Sequence, residues 1–156
     1  MSSYLIRIPY TPKAKKAVRV CFNRAYNPSV YGMRRTREYV AEQMKDKPPL
    51  TGPLLAIVHY RLPVPPSAKA YKKRNLHLTH HHQRPDGDNL EKFLNDALQG
   101  LMYTDDCQIS WILRSKTFIN AREGETILHF RELKSDKVNY EEIMEAIQDH
   151  IEIMEQ

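Results

Sequence analysis

Asp86-Gly87-Asp88-Asn89-Leu90-Glu91-Lys92-Phe93-Leu94-Asn95-Asp96-Ala97-Leu98-Gln99-Gly100-Leu101 decides how this chain is read. Leu90, Phe93, Leu94, Ala97, Leu98 and Leu101 fall at i, i+3, i+4, i+7, i+8 and i+11. That spacing makes one continuous apolar stripe and predicts a buried-face helix over 89–101. Asp88 is the expected N-cap, Glu91 three residues on completes a capping box, and Gly100 signals the C-terminus.

Downstream, Tyr103 to Asp106 reads as a turn and Cys107 to Asn120 as a strand. Cys107, Ile109, Trp111 and Leu113 share one face of it, with Trp111 expected in the core. Arg122-Glu123-Gly124 turns the chain into Thr126 to Leu133, and these two strands are expected to form a hairpin. A helix from Asn139 to about residue 155 carries Ile143, Ile147, Ile151 and Met154 on one side and acidic residues elsewhere.

Upstream, Leu54 to Leu62 is a strand preceded by the breakers Pro48, Pro49 and Pro53. Tyr31 to Lys45 reads as a helix with Met33, Tyr39, Val40 and Met44 as apolar contacts, and Tyr4 to Ile8 as a short strand stopped by Pro9. Residues 10–31 read as a basic arm, extended or looped. Pro63 to Pro85 holds few large apolar residues but carries Lys69, Lys72, Lys73, Arg74 and His77, His80, His81 and His82, a basic flap. The expected architecture is a single domain over 1–156, α/β or α+β, with helices packed on a small mixed β-sheet in the order β-α-β-α-β-β-α.

The charge is divided along the chain. Residues 1–85 hold seventeen Lys+Arg against three Asp+Glu, and residues 86–156 hold seven against sixteen. A basic half of that size suits a polyanion, most simply nucleic acid, although a surface whose halves neutralise each other has the same composition. Two cysteines, Cys21 and Cys107, build neither a disulfide framework nor a four-ligand zinc site, and they suit a reducing cytoplasm. The longest apolar runs, such as Leu54 to Val58, are far too short to span a bilayer, and the first residues lack a basic-then-apolar export signal.

Chemistry rests on Asp86 and Asp88 before the helix and Asp105 and Asp106 after it. If the following strand folds back beside the helix N-terminus, these carboxylates meet, and hard oxygen ligands select Mg²⁺ or Mn²⁺. Lys92, one turn beyond the first pair, is suited to neutralise charge on a phosphate oxygen. Each residue also has a plain structural reading: Asp88 as a cap, Asp86 and the 105–106 pair as turn residues, Lys92 as an i, i+4 partner of Asp88 or Asp96. The adjacent histidines of the flap do not have zinc-site spacing, Cys107 has no evident base, and Tyr71 is the better candidate for base stacking.

Asp86-Gly87-Asp88-Asn89-Leu90-Glu91-Lys92, then Asp96-Ala97-Leu98, then Asp105-Asp106-Cys107-Gln108 resembles the core motif of the RusA family of Holliday-junction resolvases. That motif is Asp-x-Asp-Asn-Leu-x-Lys, a helix with Asp-Ala-Leu, and an Asp-Asp-x-Gln turn opening a strand. The likeness is strongest over residues 84–118 and fades after the expected hairpin, which makes the C-terminal helix an addition. It implies a RusA-like fold and a homodimeric, Mg²⁺-dependent crossover junction endodeoxyribonuclease, with Mn²⁺ as a possible substitute, acting in DNA recombination and repair. By position it implies Asp86, Asp88 and Asp106 as metal-binding catalytic acids, Asp105 as a secondary metal ligand and Lys92 as the catalytic lysine. It implies branched DNA as the partner and a cytoplasmic protein, nucleoid-associated by function; from their charge, backbone contacts are expected from Lys13, Lys15, Lys16, Arg19, Lys69, Lys72, Lys73, Arg74, Arg84, Arg114 and Lys116. The alternatives are a non-catalytic structure-selective DNA-binding protein and a metal-dependent flap or RNA nuclease.

Overall fold

The ten-residue central strand, Leu54–Pro63, is apolar on both faces apart from His59 and Arg61, and it organises the molecule. The computed structural model describes residues 2–70 and 75–156. The strands are β1 (Ser3–Ile8), β2 (Arg19–Cys21), β3 (Arg24–Tyr26), β4 (Leu54–Pro63), β5 (Ile109–Ile119) and β6 (Glu125–Glu132). The described α-helices are α1 (Val30–Met44), α2 (Gly87–Leu98) and α3 (Tyr140–Glu155). The fold is mixed α+β, as expected.

The main sheet has the order β1-β6-β4-β5. β6 runs antiparallel to β1 and β4, while β4 and β5 are parallel and joined through α2. A parallel pair needs such a crossover, and the helix covers one face of the strands it joins. Leu90, Leu94, Ala97 and Leu98 of α2 pack with Val40 and Met44 of α1 against Leu54, Ala56, Val58 and Tyr60 of β4. The opposite face of β4 presents Leu55 and Ile57 to Ile143 and Ala146 of α3.

The expected hairpin between the last two strands is not formed. β4 lies between β5 and β6, and the chain crosses the end of β4 through residues 120–124. A step over one strand covers about 10 Å, within reach of five residues. Burial decides the arrangement: β4 is apolar on both faces and takes an interior position, whereas most of β5 tolerates the edge. At the crossing, a side chain on Gly124 would collide with the Arg61 carbonyl, so the backbone passes close over the strand end.

Two basic segments carry more order than their sequence announces. Part of the basic arm is a β-ribbon, β2 pairing with β3 around the two-residue turn Phe22-Asn23. The last part of the flap is anchored: Leu78 N–H donates to Phe118 O (2.8 Å), Phe118 N–H to Thr79 O (2.9 Å) and His81 N–H to Lys116 O (2.9 Å). Among the described residues these bonds cover the outer edge of β5 over Lys116–Phe118. His81 is buried against Phe118, while Tyr71, Lys72, Lys73 and Arg74 lie outside the described residues. Trp111 is half-buried beside Tyr140 of α3 and packs at the margin of the core between β4 and α3, as expected, whereas Ile151 is exposed.

Candidate active site

The sequence places an acid at each of the two positions opening α2, and the backbone there determines what they can do. Asp86, not Asp88, is the N-cap, and its side chain makes no capping hydrogen bond. Asp88 lies in the first turn, where a carboxylate faces the positive end of the helix dipole. The capping box expected from Asp88 and Glu91 is therefore absent. Glu91 instead faces Arg114 across a 3.3 Å ion pair, and Lys92 Nζ lies 3.6 Å from Asp88 Oδ2. Asp86 and Asp88 are both exposed, and neither side chain makes a capping hydrogen bond.

An open groove surrounds them, lined by His82, Gln83, Arg84, Asp86, Gly87, Asp88, Arg114 and Lys116. Lys116 closes its floor by donating to Gln83 O (2.7 Å) and Pro85 O (2.8 Å), which pins the segment that delivers Asp86. Burial and the neighbouring Arg114 lower the Lys116 pKa, with Asp86 opposing. Arg114 lies across Gly87 so closely that any side chain at 87 would collide with its guanidinium. Burial raises the Glu91 pKa, Arg114 pulls it back, and Asp88 adds to the rise. The pairing of Glu91 with Arg114 and the close packing of Gly87 on Arg114 are features of the groove that the sequence reading missed. The available signal was a glycine between two aspartates, which marks a close approach of backbone to another group.

The second acidic pair is built differently. Asp105 Oδ1 accepts from Cys107 N–H (3.0 Å), and Gln108 Oε1 accepts from Asp105 N–H (2.8 Å), a reciprocal cap on the 3₁₀ turn Asp106–Gln108. The bond from Cys107 N–H lowers the Asp105 pKa. Hydrogen bonding to Asp105 raises the Cys107 thiol, which removes it further from nucleophilic use. Gln108 Nε2 also donates to Leu50 O and Gly52 O, tying this turn to the chain before β4. Asp106 is exposed and is not the capping residue of this turn.

The two pairs are not brought together within one chain. Tyr103, just before the second pair, bonds through its hydroxyl to Asn95 near the far end of α2. Twelve helical residues, about 18 Å, therefore separate the pairs. The strand does not fold back as the sequence reading required, because β5 begins at Ile109 opposite Leu54, the entry end of β4, and reaches the helix N-terminus only near Arg114 and Lys116. Among the described residues no three His, Cys, Asp or Glu side chains cluster closely enough to hold a metal.

The basic residues divide similarly. Arg84, Arg114 and Lys116 line the groove. Lys15 joins the arm to α2, donating its N–H to Asn89 O (2.9 Å) and pairing through its ammonium with Asp96. Lys13, Lys16, Arg19 and Lys69 are exposed.

No curated protein matches the chain. The family model described as endodeoxyribonuclease RusA matches residues 9–127, which takes in the arm, both acidic pairs and the whole of β5 and ends before α3. With most of its length matched and the motif acids at both ends of α2, the chain belongs to the RusA family of endodeoxyribonucleases.

Proposed function

We propose that this protein is a divalent-metal-dependent endodeoxyribonuclease that nicks four-way DNA junctions as a homodimer, in DNA recombination and repair. The observation that carries the reading is the pair Asp86 and Asp88, exposed at a helix mouth, free of capping duty, in a groove walled by Arg84, Arg114 and Lys116. Carboxylate oxygens without committed thiolate or imidazole suit Mg²⁺, with Mn²⁺ as a substitute. Asp86, Asp88 and Asp106 would hold the ion. A bound cation supplies Lewis-acid activation of water and neutralises charge at the departing 3′ oxygen. Lys92 stands one turn inside the helix, where its ammonium can oppose charge on a non-bridging phosphate oxygen. Arg84 and Arg114 hold the backbone at the groove, and Lys116 fixes the segment carrying Asp86.

The separation of the acids supports the homodimer. Among the described residues nothing pairs with the outer edge of β5 before Lys116, where Ile112 and Leu113 are exposed apolar residues. Antiparallel pairing of this stretch with a second copy, two-fold axis near Ile112, would set Gln108 of one strand opposite Lys116 of the other. Asp106 of each copy would then approach Asp86 and Asp88 of its neighbour. Two composite sites related by a two-fold axis suit two symmetry-related strands of a junction.

The test is incubation of purified protein with an end-labelled four-way junction, with and without Mg²⁺, beside the Asp86→Asn variant. Paired symmetric nicks that require Mg²⁺ and vanish in the variant are expected. Tight junction binding without cutting in Mg²⁺ or Mn²⁺ would overturn the reading in favour of a binding protein. Preferential cutting of flap or RNA substrates would reassign the substrate.

A further inference from the structure

The ribbon β2–β3 has no role in the groove, yet it is built at a cost. Phe22 and Asn23 occupy its two-residue turn with φ of 50° and 60°. Such a turn favours Asn, Asp or Gly at both positions, and a bulky aromatic in the left-handed region is strained. A strained aromatic is ordinarily repaid by packing. Here the Phe22 side chain is 95% exposed, and every residue of β2 and β3 is exposed as well. Neither the turn nor the core gains from this phenylalanine. Strain held without a structural return points to a surface that acts outward.

The chemistry around the tip selects the partner. Arg19 pairs across the ribbon with Tyr26, and Cys21 with Arg24, so both arginines and the tyrosine share one face. Residues 11–36 hold seven Lys+Arg and no Asp or Glu. Cationic side chains interleaved with exposed aromatic rings match a nucleic-acid strand, phosphates to the charges and an unpaired base to the ring. The root of the ribbon is fixed beside the site. Lys15 N–H bonds to Asn89 O, the residue after Asp88, and Lys16 N–H bonds to Ser29 Oγ (2.9 Å). Phe22 lies six residues beyond Lys16, an extended reach of about 20 Å from the root.

We propose that the ribbon is a branch-point probe: Arg19 and Arg24 follow the DNA backbone while Phe22 stacks on a base left unpaired or unstacked at the centre of a junction. This rests on the junction-nuclease reading and deepens it, by assigning the choice of junction over duplex to a residue remote from the carboxylates. In continuous duplex the bases are stacked and the ring has no face to cover, so the contact favours the branched substrate.

The experiment uses a four-way junction with 2-aminopurine at the branch point and a matched duplex, without divalent cation so that no strand is cut. The wild-type protein should raise 2-aminopurine fluorescence and bind the junction more tightly than duplex. Phe22→Asn gives the turn a residue it prefers, so the ribbon persists without its ring. It should abolish the fluorescence rise and weaken junction binding by about tenfold, the lower part of the range for one base–aromatic stack. Duplex binding should stay within about twofold, and Phe22→Trp should retain the wild-type signal. A Phe22→Asn variant with unchanged fluorescence and junction affinity overturns the probe. If that variant and the wild type both still cut junctions in Mg²⁺, the probe alone fails; a wild type that neither prefers nor cuts junctions overturns the nuclease reading with it.

Discussion

The two acidic pairs stand at opposite ends of α2 and are held by different means. Asp105 is one half of a reciprocal cap, bonded to Cys107 N–H while Gln108 returns the bond to its own backbone. Asp86 and Asp88 meet the positive end of the helix with no cap to make, and the nearest cations at their groove are Lys92, Arg114 and Lys116. Adjacent acids in a turn and adjacent acids at a helix mouth look alike in sequence. Their hydrogen bonds separate a carboxylate used to shape the chain from one left available to a ligand, and repulsion between available carboxylates favours a site completed by a cation.

The sharpest way to break this comparison is to neutralise each kind of acid. Asp88→Asn should lower junction cutting by about 10³-fold or more, the scale of losing a principal electrostatic contributor, with the thermal midpoint nearly unchanged because no cap is lost. A large fall in melting temperature would mean that Asp88 holds the helix.

The face of the sheet under α3 supplies the opposite extreme, ionisable groups drawn out of solvent. His129 of β6 stacks with His150 of α3 at 5.6 Å, and both Nδ1 atoms are buried without a partner. Burial, with His150 and Arg131 facing it and Asp149 opposing, lowers the His129 pKa to about 4. Burial, with Arg61 and His150 facing it and Glu125 opposing, lowers His59 to about 4. The unfolded chain therefore binds more protons than the folded one between about pH 6.5 and 4. Stability is full above that window and falls as pH drops through it, by at most about 3 kcal/mol for each residue. Urea midpoints at pH 7.5 and 4.5 should show the loss, and replacing His129 with Leu should shrink it.

Two smaller tests sharpen the contrast at the acids themselves. Gly87→Ala should displace the Arg114 guanidinium and reduce cutting, by up to about 10²-fold if the phosphate is misplaced by about 1 Å, with a modest fall in melting temperature. Asp105→Ala should lower the melting temperature by a few degrees through the lost cap while retaining cutting within a few-fold. Equal loss of activity in Asp105→Ala and Asp88→Asn would erase the distinction.

What could be read from the sequence follows the same division. The α2 stripe was legible because periodicity reports burial directly, and Leu90, Phe93, Leu94, Ala97 and Leu98 are all buried. The motif acids and Lys92 were legible as residue types at a spacing. Which acid caps was not, because the N-cap depends on where the backbone leaves the helical region, and that lies at Asp86. Strand order was hidden too, since alternation in β5 and β6 reports faces and not neighbours. The β2–β3 ribbon escaped notice because its turn uses Phe22 where Asn or Gly would have announced it.

The central claim, that the active site is shared between two copies, is tested most directly by mixing two inactive variants. Asp88→Asn and Asp106→Asn should each fail to cut a four-way junction alone. Dissociated and reassociated together, they form mixed dimers in which one site combines both substitutions and the other is intact, so Mg²⁺-dependent nicking of the junction should return. A wild type that cuts, beside a reassociated mixture as inactive as its parents, would place all the required acids within a single chain and contradict the account.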